Sequence, residues 1–307
     1  MNDRVKSPIV FIIFNRPDTT EIVFEKIANV KPKKLFVIAD GPRLNVDGEI
    51  ENCIKTREII KKINWDCDLK IHYSDVNLGC KNRVVSGLNW VFEMVENAII
   101  LEDDCVPSDS FFNYCDDLLE KYKNDHRIMT ICGTNLANTD NINSSYYFAQ
   151  IPHIWGWATW KRTWIEYDQN MNNLTKLMES NEFINKFNNK SEYRFWKNYL
   201  NEVANGKVDT WDAQMTYLAF ISNRLSVFPR KNLITNIGFG ENATHTKAVN
   251  ITANLKRYEI HENLKEPISF IPNKNAEIER GKKEGIGLNK IEKIKLRTKN
   301  KILRIFK

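Results

Sequence analysis

Ala98-Ile99-Ile100-Leu101-Glu102-Asp103-Asp104 decides the reading of this chain: four apolar residues run without a break into three carboxylates. An uninterrupted apolar run of this length suits a short strand covered on both faces, as in a parallel sheet packed under helices. Three adjacent carboxylates repel one another unless a cation relieves them, and a strand end holds them at a fixed point. Hard oxygen ligands of this kind suit Mg²⁺ or Mn²⁺, which keep positions open for substrate phosphates. The plainer reading is a solvated turn or the acidic first turn of a helix. The buried approach and the stiff exit through Cys105-Val106-Pro107 favour the cation site.

The segments before the triplet follow the same scheme. Pro8–Phe14 (PIVFIIF), Lys34–Ala39 (KLFVIA) and Leu69–Tyr73 read as further strands. Between them, Thr19–Val30, Ile50–Ile63 and Arg83–Val95 carry apolar residues at helical spacing. Strands alternating with helices of about a dozen residues predict a parallel sheet with both faces covered. In such sheets ligands bind beyond the carboxyl ends of the strands. Asn15-Arg16, Asp40 and the triplet all follow strand ends, so the alternation places them along one edge. Downstream, Ser108-Asp109 is expected to cap a helix reaching about Tyr122, and Ile128–Cys132 to form a strand. The pattern then loosens. Residues 134–150 read as an Asn-rich loop, 151–164 as a tryptophan-rich segment and 174–205 as polar helix. Thr210–Ser222 is a helix, Val227–Pro229 extended, and 233–250 a Gly- and Asn-containing loop.

Composition narrows the classes. Across 307 residues, 42% are hydrophobic and 27% charged, an ordinary globular balance. No run approaches the roughly 20 apolar residues of a membrane span, and Asn15-Arg16-Pro17 stands where a signal-peptide cleavage site would need small residues. The six cysteines form no CxxC pair, which favours free thiols in a reducing cytoplasm. Charge is uneven. Residues 280–307 hold 11 Lys or Arg against 2 Glu, leaving 34 basic against 37 acidic residues in 1–279. A nucleic-acid binder carries its positive charge on the folded surface that reads the ligand, so no nucleic-acid partner is expected. Leu288, Ile291, Ile294, Ile302, Ile305 and Phe306 share a broad helical face in the tail, opposite Lys290, Lys293, Arg297 and Arg304. Lys295 and Lys299 interrupt it. The tail therefore suits either an anionic membrane surface or solvent.

Residues 99–112, Ile-Ile-Leu-Glu-Asp-Asp-Cys-Val-Pro-Ser-Asp-Ser-Phe-Phe, resemble the metal-binding segment of GT-A glycosyltransferases. The N-acetylglucosaminyltransferase I type is the nearest, although the proline here stands closer to the triplet. Phe14-Asn15-Arg16-Pro17 resembles the end of that family's first strand. Asp40 sits where its second-strand acid lies, and Thr210-Trp211-Asp212-Ala213-Gln214-Met215 resembles the segment with its catalytic base. Phe228-Pro229-Arg230 and Gly238-Phe239-Gly240 follow in the family's order. Trp155-Gly156-Trp157-Ala158-Thr159-Trp160 is similar to bacterial surface-polysaccharide sugar transferases.

The resemblance implies an α/β GT-A (Rossmann-like) fold with a mixed, mostly parallel sheet flanked by helices. It divides into a donor half, 1–133, an acceptor and catalytic half, 134–279, and the basic tail, 280–307. It implies transfer of a sugar from a nucleotide diphosphate, a UDP-sugar, to a hydroxyl of a glycan, glycoprotein or lipid-linked acceptor, with inversion. Mn²⁺ or Mg²⁺ would be held by Asp104, with Glu102 and Asp103 at ribose and sugar hydroxyls, Arg16 beside Asn15 at the diphosphate and Asp40 at the uracil edge. Arg83 adds a cation near the donor or is a solvated helix arginine. Asp212 would be the general base, or a helix cap, or both. Trp155, Trp157 and Trp211 are candidates to face the acceptor, because aromatic faces stack on the C–H faces of sugars. Trp160 and Trp164, four apart, read as core. His245 is a further candidate metal ligand, and His153 reads as structural. A cytoplasmic enzyme, peripheral on the inner face of the membrane, is the expected setting. Two rivals remain: a non-catalytic carbohydrate- or membrane-binding module on the same fold, and a sugar-phosphate nucleotidyltransferase. The second should carry a Gly-rich loop directly after the first strand, where Phe-Asn-Arg-Pro stands instead.

Overall fold

The computed structural model describes residues 5–239 and 252–305. The first half builds β1 (Ile9–Ile13), α1 (Pro17–Val30), β2 (Lys34–Ala39), α2 (Glu49–Glu58), β3 (Asp68–Tyr73), α3 (Cys80–Met94) and β4 (Asn97–Glu102). A short β5 (Cys105–Pro107), α4 (Ser110–Lys121) and β6 (Ile128–Cys132) follow. Apart from β5, which the sequence reading took only as a stiff exit, these are the elements the apolar runs foretell, with the second helix ending in a 3₁₀ turn at Ile59–Lys62. The chain continues through β7 (Tyr146–Ala149), β8 (Trp157–Trp160), α5 (Lys161–Trp164), α6 (Leu174–Glu179), α7 (Asn181–Asn185) and α8 (Lys190–Ala204). It closes with α9 (Asp212–Ser222), β9 (Leu225–Pro229), β10 (Ile234–Asn236), α10 (Lys274–Glu284) and α11 (Lys290–Ile305).

Eight strands form one sheet in the order β3-β2-β1-β4-β8-β6-β9-β7. β3, β2, β1 and β4 run parallel, as do β6 and β9, whereas β8 and β7 run antiparallel to their neighbours. The fold is thus mixed α/β with a mostly parallel sheet flanked by helices, as expected. β1, β2, β4 and β6 bury residues on both faces, the burial a parallel sheet under helices demands. From β1 the chain steps outward to β2 and β3, then returns to place β4 on the other side of β1. The strand order therefore reverses between β1 and β4, and a crevice opens beyond their carboxyl ends.

Three strands lie where loop was expected. β7 falls inside 134–150, β8 inside the tryptophan segment and β10 inside 233–250. β8 obeys the two-residue period: Trp157 joins the core on one sheet face, and Ala158 and Trp160 join the core on the other. Trp160 and Trp164 are both core residues, yet not on one helix face, since the first ends β8 and the second ends α5. The basic tail also begins later than 280. Arg280, Gly281, Ile286 and Leu288 are buried against the body, so α10 and the turn after it belong to the globule.

Helix α4 is capped from a distance. Asp109 makes no side-chain capping bond; the amides of Asp109 and Ser110 donate to Glu259 at 3.0 and 2.8 Å. All six cysteines are free, and four of them are buried. No helix among the described residues is long and apolar enough to cross a membrane.

Candidate active site

A cavity of about 410 Å³, ample for a small ligand, lies beyond the carboxyl ends of β1, β2 and β4. Its wall includes Phe14, Arg16, Asp40, Arg83, Trp155 and the triplet Glu102-Asp103-Asp104. The strand-end residues singled out by sequence therefore meet on one edge, with one exception. Asn15 does not line the cavity. Its side-chain amide donates to Glu49 at 2.7 Å, and Glu49 also accepts from the Arg43 backbone amide at 2.7 Å and its Nε at 2.9 Å. Burial alone would raise the Glu49 carboxyl; the bonds from Arg43 and Asn15 outweigh it and hold it low. The donor contact expected of Asn15 is thus corrected to a supporting role, with Arg43 standing on the cavity wall in its place.

Arg16 sits among the carboxylates. Its guanidinium pairs with Asp103 and, at 3.0 Å, with Asp104, while the Phe14 amide donates to Asp103 at 3.3 Å. Burial opposes the arginine's charge, but the two aspartates overcome it and raise its proton affinity. Glu102 stands beside them as the last residue of β4. Burial, then the charges of Asp104 and Asp103, push it up to about 8, well above the usual carboxylate range. Asp103 is likewise raised by burial, against the pull of Arg16.

β5 explains how the far side closes over the triplet. It follows Asp104 directly and pairs antiparallel with β10, so Asn236 faces Cys105. The Ile237 amide donates to the Asp104 carbonyl at 2.9 Å, bringing Gly238 against the carboxylate. A Cβ at Gly238 would lie 2.0 Å from Asp104 Oδ2 and 2.8 Å from Arg16 Nη1. Only glycine fits there without displacing both charges.

Asp40 is committed to the loop before α3. Its carboxylate accepts from the amides of Gly41 at 2.9 Å, Leu78 at 2.9 Å and Gly79 at 3.0 Å, and from Asn77 Nδ2 at 3.1 Å. Burial nevertheless outweighs these bonds and raises its pKa. Arg83 is no solvated helix arginine: it is buried, bonds the His72 carbonyl and has its charge disfavoured by burial against the pull of Asp40.

Asp212, the first residue of α9, lines a neighbouring cavity of about 230 Å³. Trp155 is part of both walls. Thr210 donates to Asp212, and Tyr199 is hydrogen-bonded in the same group. The cap position of α9 falls to Trp211, which makes no side-chain capping bond, so Asp212 is the first helical residue and not the cap. Asp209, which sequence reading passed over, lines the larger cavity with the triplet instead. Four carboxylates, Glu102, Asp209, Asp212 and Asp40, act on the Cys80 thiol, which burial first and these charges next raise far above the usual thiol range. The two cavities are therefore electrostatic neighbours.

Two tryptophan expectations need correction. Trp157 is fully buried and stacks on Trp211, itself 2% exposed, with ring centres 5.6 Å apart. Both indoles fill the core between β8 and α9, so neither offers a face to a sugar. Trp155 alone of the three reaches open space, its ring edge-on to Phe239. His153 is buried and lies 3.5 Å from Glu284, a structural position as expected. His245 lies outside the described residues. Arg43, Asn77, Asp209 and Phe239 were missed, because loop side chains with no periodic signal reveal themselves only when the loops are placed.

No family model matches the chain, and no curated protein matches it. Among solved structures it is similar to HddC from Yersinia pseudotuberculosis, with a TM-score of 0.32 and 9% identity over 51% of this chain and 77% of that one. A likeness that distant carries no functional argument, so function rests on the site.

Proposed function

We propose that the protein transfers a sugar from a nucleotide diphosphate, a UDP-sugar by the sequence resemblance, to a hydroxyl of a glycan or glycoconjugate. The observation that carries this reading is the cavity at the β1/β4 reversal, where Arg16, Arg43 and Arg83 stand with three carboxylates at one strand edge. Guanidinium groups suit diphosphate oxygens, and the triplet would suit a divalent cation beside them.

The residues fit such an ion in one way. Among the described residues no three His, Cys, Asp or Glu side chains form a ligand cluster, so these residues would not cage a metal by themselves. Mg²⁺ and Mn²⁺ commonly use one or two carboxylates and complete their shell with substrate phosphates and water. Asp104, at the cavity wall beside Gly238, is the ligand we assign. When bound, the ion supplies neutralising charge to the departing diphosphate.

The chain's own groups supply the rest. Arg16 holds the charge of Asp103 and Asp104 in the resting site and is placed to turn toward the diphosphate. Asp40 fastens the 76–79 loop over the nucleotide, leaving base contacts to Asn77 and Phe14. Asp212 takes the proton of the acceptor hydroxyl at its carboxylate, across Trp155 from the donor. Attack from that side gives inversion at the anomeric carbon.

Calorimetry and donor hydrolysis across a panel of nucleotide sugars, with and without Mn²⁺, test the reading. No metal-dependent response to any donor would sink it. Asp212→Asn should lower turnover about 10²–10⁴-fold, the usual worth of a positioned base, with donor affinity unchanged. Normal turnover in Asp212→Asn together with loss in Asp209→Asn would move the base to Asp209.

A further inference from the structure

Helix α8 links the cavity holding Asp212 to the surface. Phe195 and Tyr199 line that cavity, and both also line a groove that Lys293 of α11 helps to wall. The start of α11 is fixed to the body. Leu288 is buried, and Ser191 Oγ donates to its carbonyl at 2.8 Å. The Asn289 amide donates to Glu292 at 2.8 Å and the Glu292 amide to Asn289 Oδ1 at 3.0 Å, a reciprocal cap that sets the helix going.

A helix anchored this firmly still leaves Ile291 66% and Ile294 56% exposed, one turn apart. Residues 290–305 carry seven Lys or Arg against one Glu. Helix α2 also exposes two isoleucines one turn apart, Ile50 at 48% and Ile54 at 55%, but beside three Glu and two basic residues; on α11 the exposed pair meets a strong positive charge. A polyanion in water would answer the lysines and leave the isoleucines wet. A lipid surface with negative headgroups answers both.

We infer that α11 docks the protein on an anionic lipid surface, with Ile291 and Ile294 entering the headgroup boundary and the exposed Lys290, Lys293 and Lys295 meeting lipid phosphates. On the sugar-transfer reading, the groove at Lys293 then leads from the lipid surface to Asp212, and the acceptor class is a glycan carried on a lipid.

The test is flotation of the full chain with phosphatidylcholine vesicles, alone or containing about one-third phosphatidylglycerol. The protein should float with the anionic vesicles only, and added salt should weaken binding. Ile291→Asp with Ile294→Asp, both at exposed positions, should lower binding at least about tenfold, as should Lys290→Gln with Lys293→Gln. Absence of flotation with anionic vesicles would overturn the inference. So would flotation unchanged by the isoleucine pair, or duplex DNA displacing the vesicles while binding that variant as well as the native chain. Failed flotation with intact sugar transfer in solution refutes the docking alone. Flotation without any sugar transfer refutes the enzymatic reading alone.

Discussion

Strands β4 and β8 lie side by side in the sheet, yet one is plain in the sequence and the other is hidden. β4 is Asn97-Ala-Ile-Ile-Leu-Glu102, an apolar run that helices cover on both faces. β8 is Trp157-Ala-Thr-Trp160, equally buried, but its one polar residue and two indoles break the run. Thr159 is tolerated because its hydroxyl donates to the Met129 carbonyl at 2.7 Å, and Trp160 because its indole N–H donates to the Leu119 carbonyl at 3.1 Å. Both of these polar atoms find a partner supplied by another element, whereas the buried Trp157 Nε1 has none among the described residues. Burial in the first half is therefore written locally, and in the second half it depends on distant partners.

The contrast is sharpest at Trp157. Trp157→Ala should cost about 3–5 kcal/mol, the range for removing a large buried aromatic, measured as a fall in denaturation midpoint. Trp155→Ala, two residues away and half-buried, should cost far less stability and instead weaken acceptor use. Equal destabilisation by the two would mean that Trp155 is core after all.

Next in size is Arg16→Gln, which leaves Asp103 and Asp104 without their counter-charge. Breaking a buried pair in this way should cost about 3 kcal/mol in metal-free protein. Adding Asp103→Asn to Arg16→Gln should restore much of it, and no restoration would deny that the two act as a pair.

A gentler probe is pH. Glu102 moves from 4.5 up to about 8 on folding, through burial and the carboxylates beside it. The folded state therefore binds more protons than the unfolded one in that window. Stability of the metal-free protein should fall as pH rises from 4.5 to 8. Glu102→Gln should flatten that slope in thermal melts. A slope unchanged in the variant would assign it to another group.

The smallest effect concerns the distant cap. Glu259→Ala removes the acceptor for the first amides of α4 and should cost about 1 kcal/mol. An effect within error would show that water replaces Glu259 at this exposed helix end.

Legibility of the site followed the same division. Arg16, Asp40 and the Glu102–Asp104 triplet were visible because each follows an apolar strand directly, and strand ends share an edge in a parallel sheet. Trp157 and Trp211 were misjudged because a tryptophan beside glycine or aspartate reads alike whether it faces a ligand or its own stacking partner. Arg43 and Asp209 carried no signal, since their place depends on how two loops meet over the sheet.

By itself, the sequence determined the alternating strands and helices of the first half, the carboxylate triplet at a strand end and the basic character of α11. Apolar period and charge are local properties, and they act before any long-range contact forms. Tertiary structure alone decided that β8 enters the sheet between β4 and β6. It also decided that Gly238 closes on Asp104, that Arg16 stands between two aspartates, and that Trp155 lines both the cavity of the triplet and that of Asp212. Those relations join residues tens to hundreds of positions apart, so they exist only once the sheet and its loops have packed.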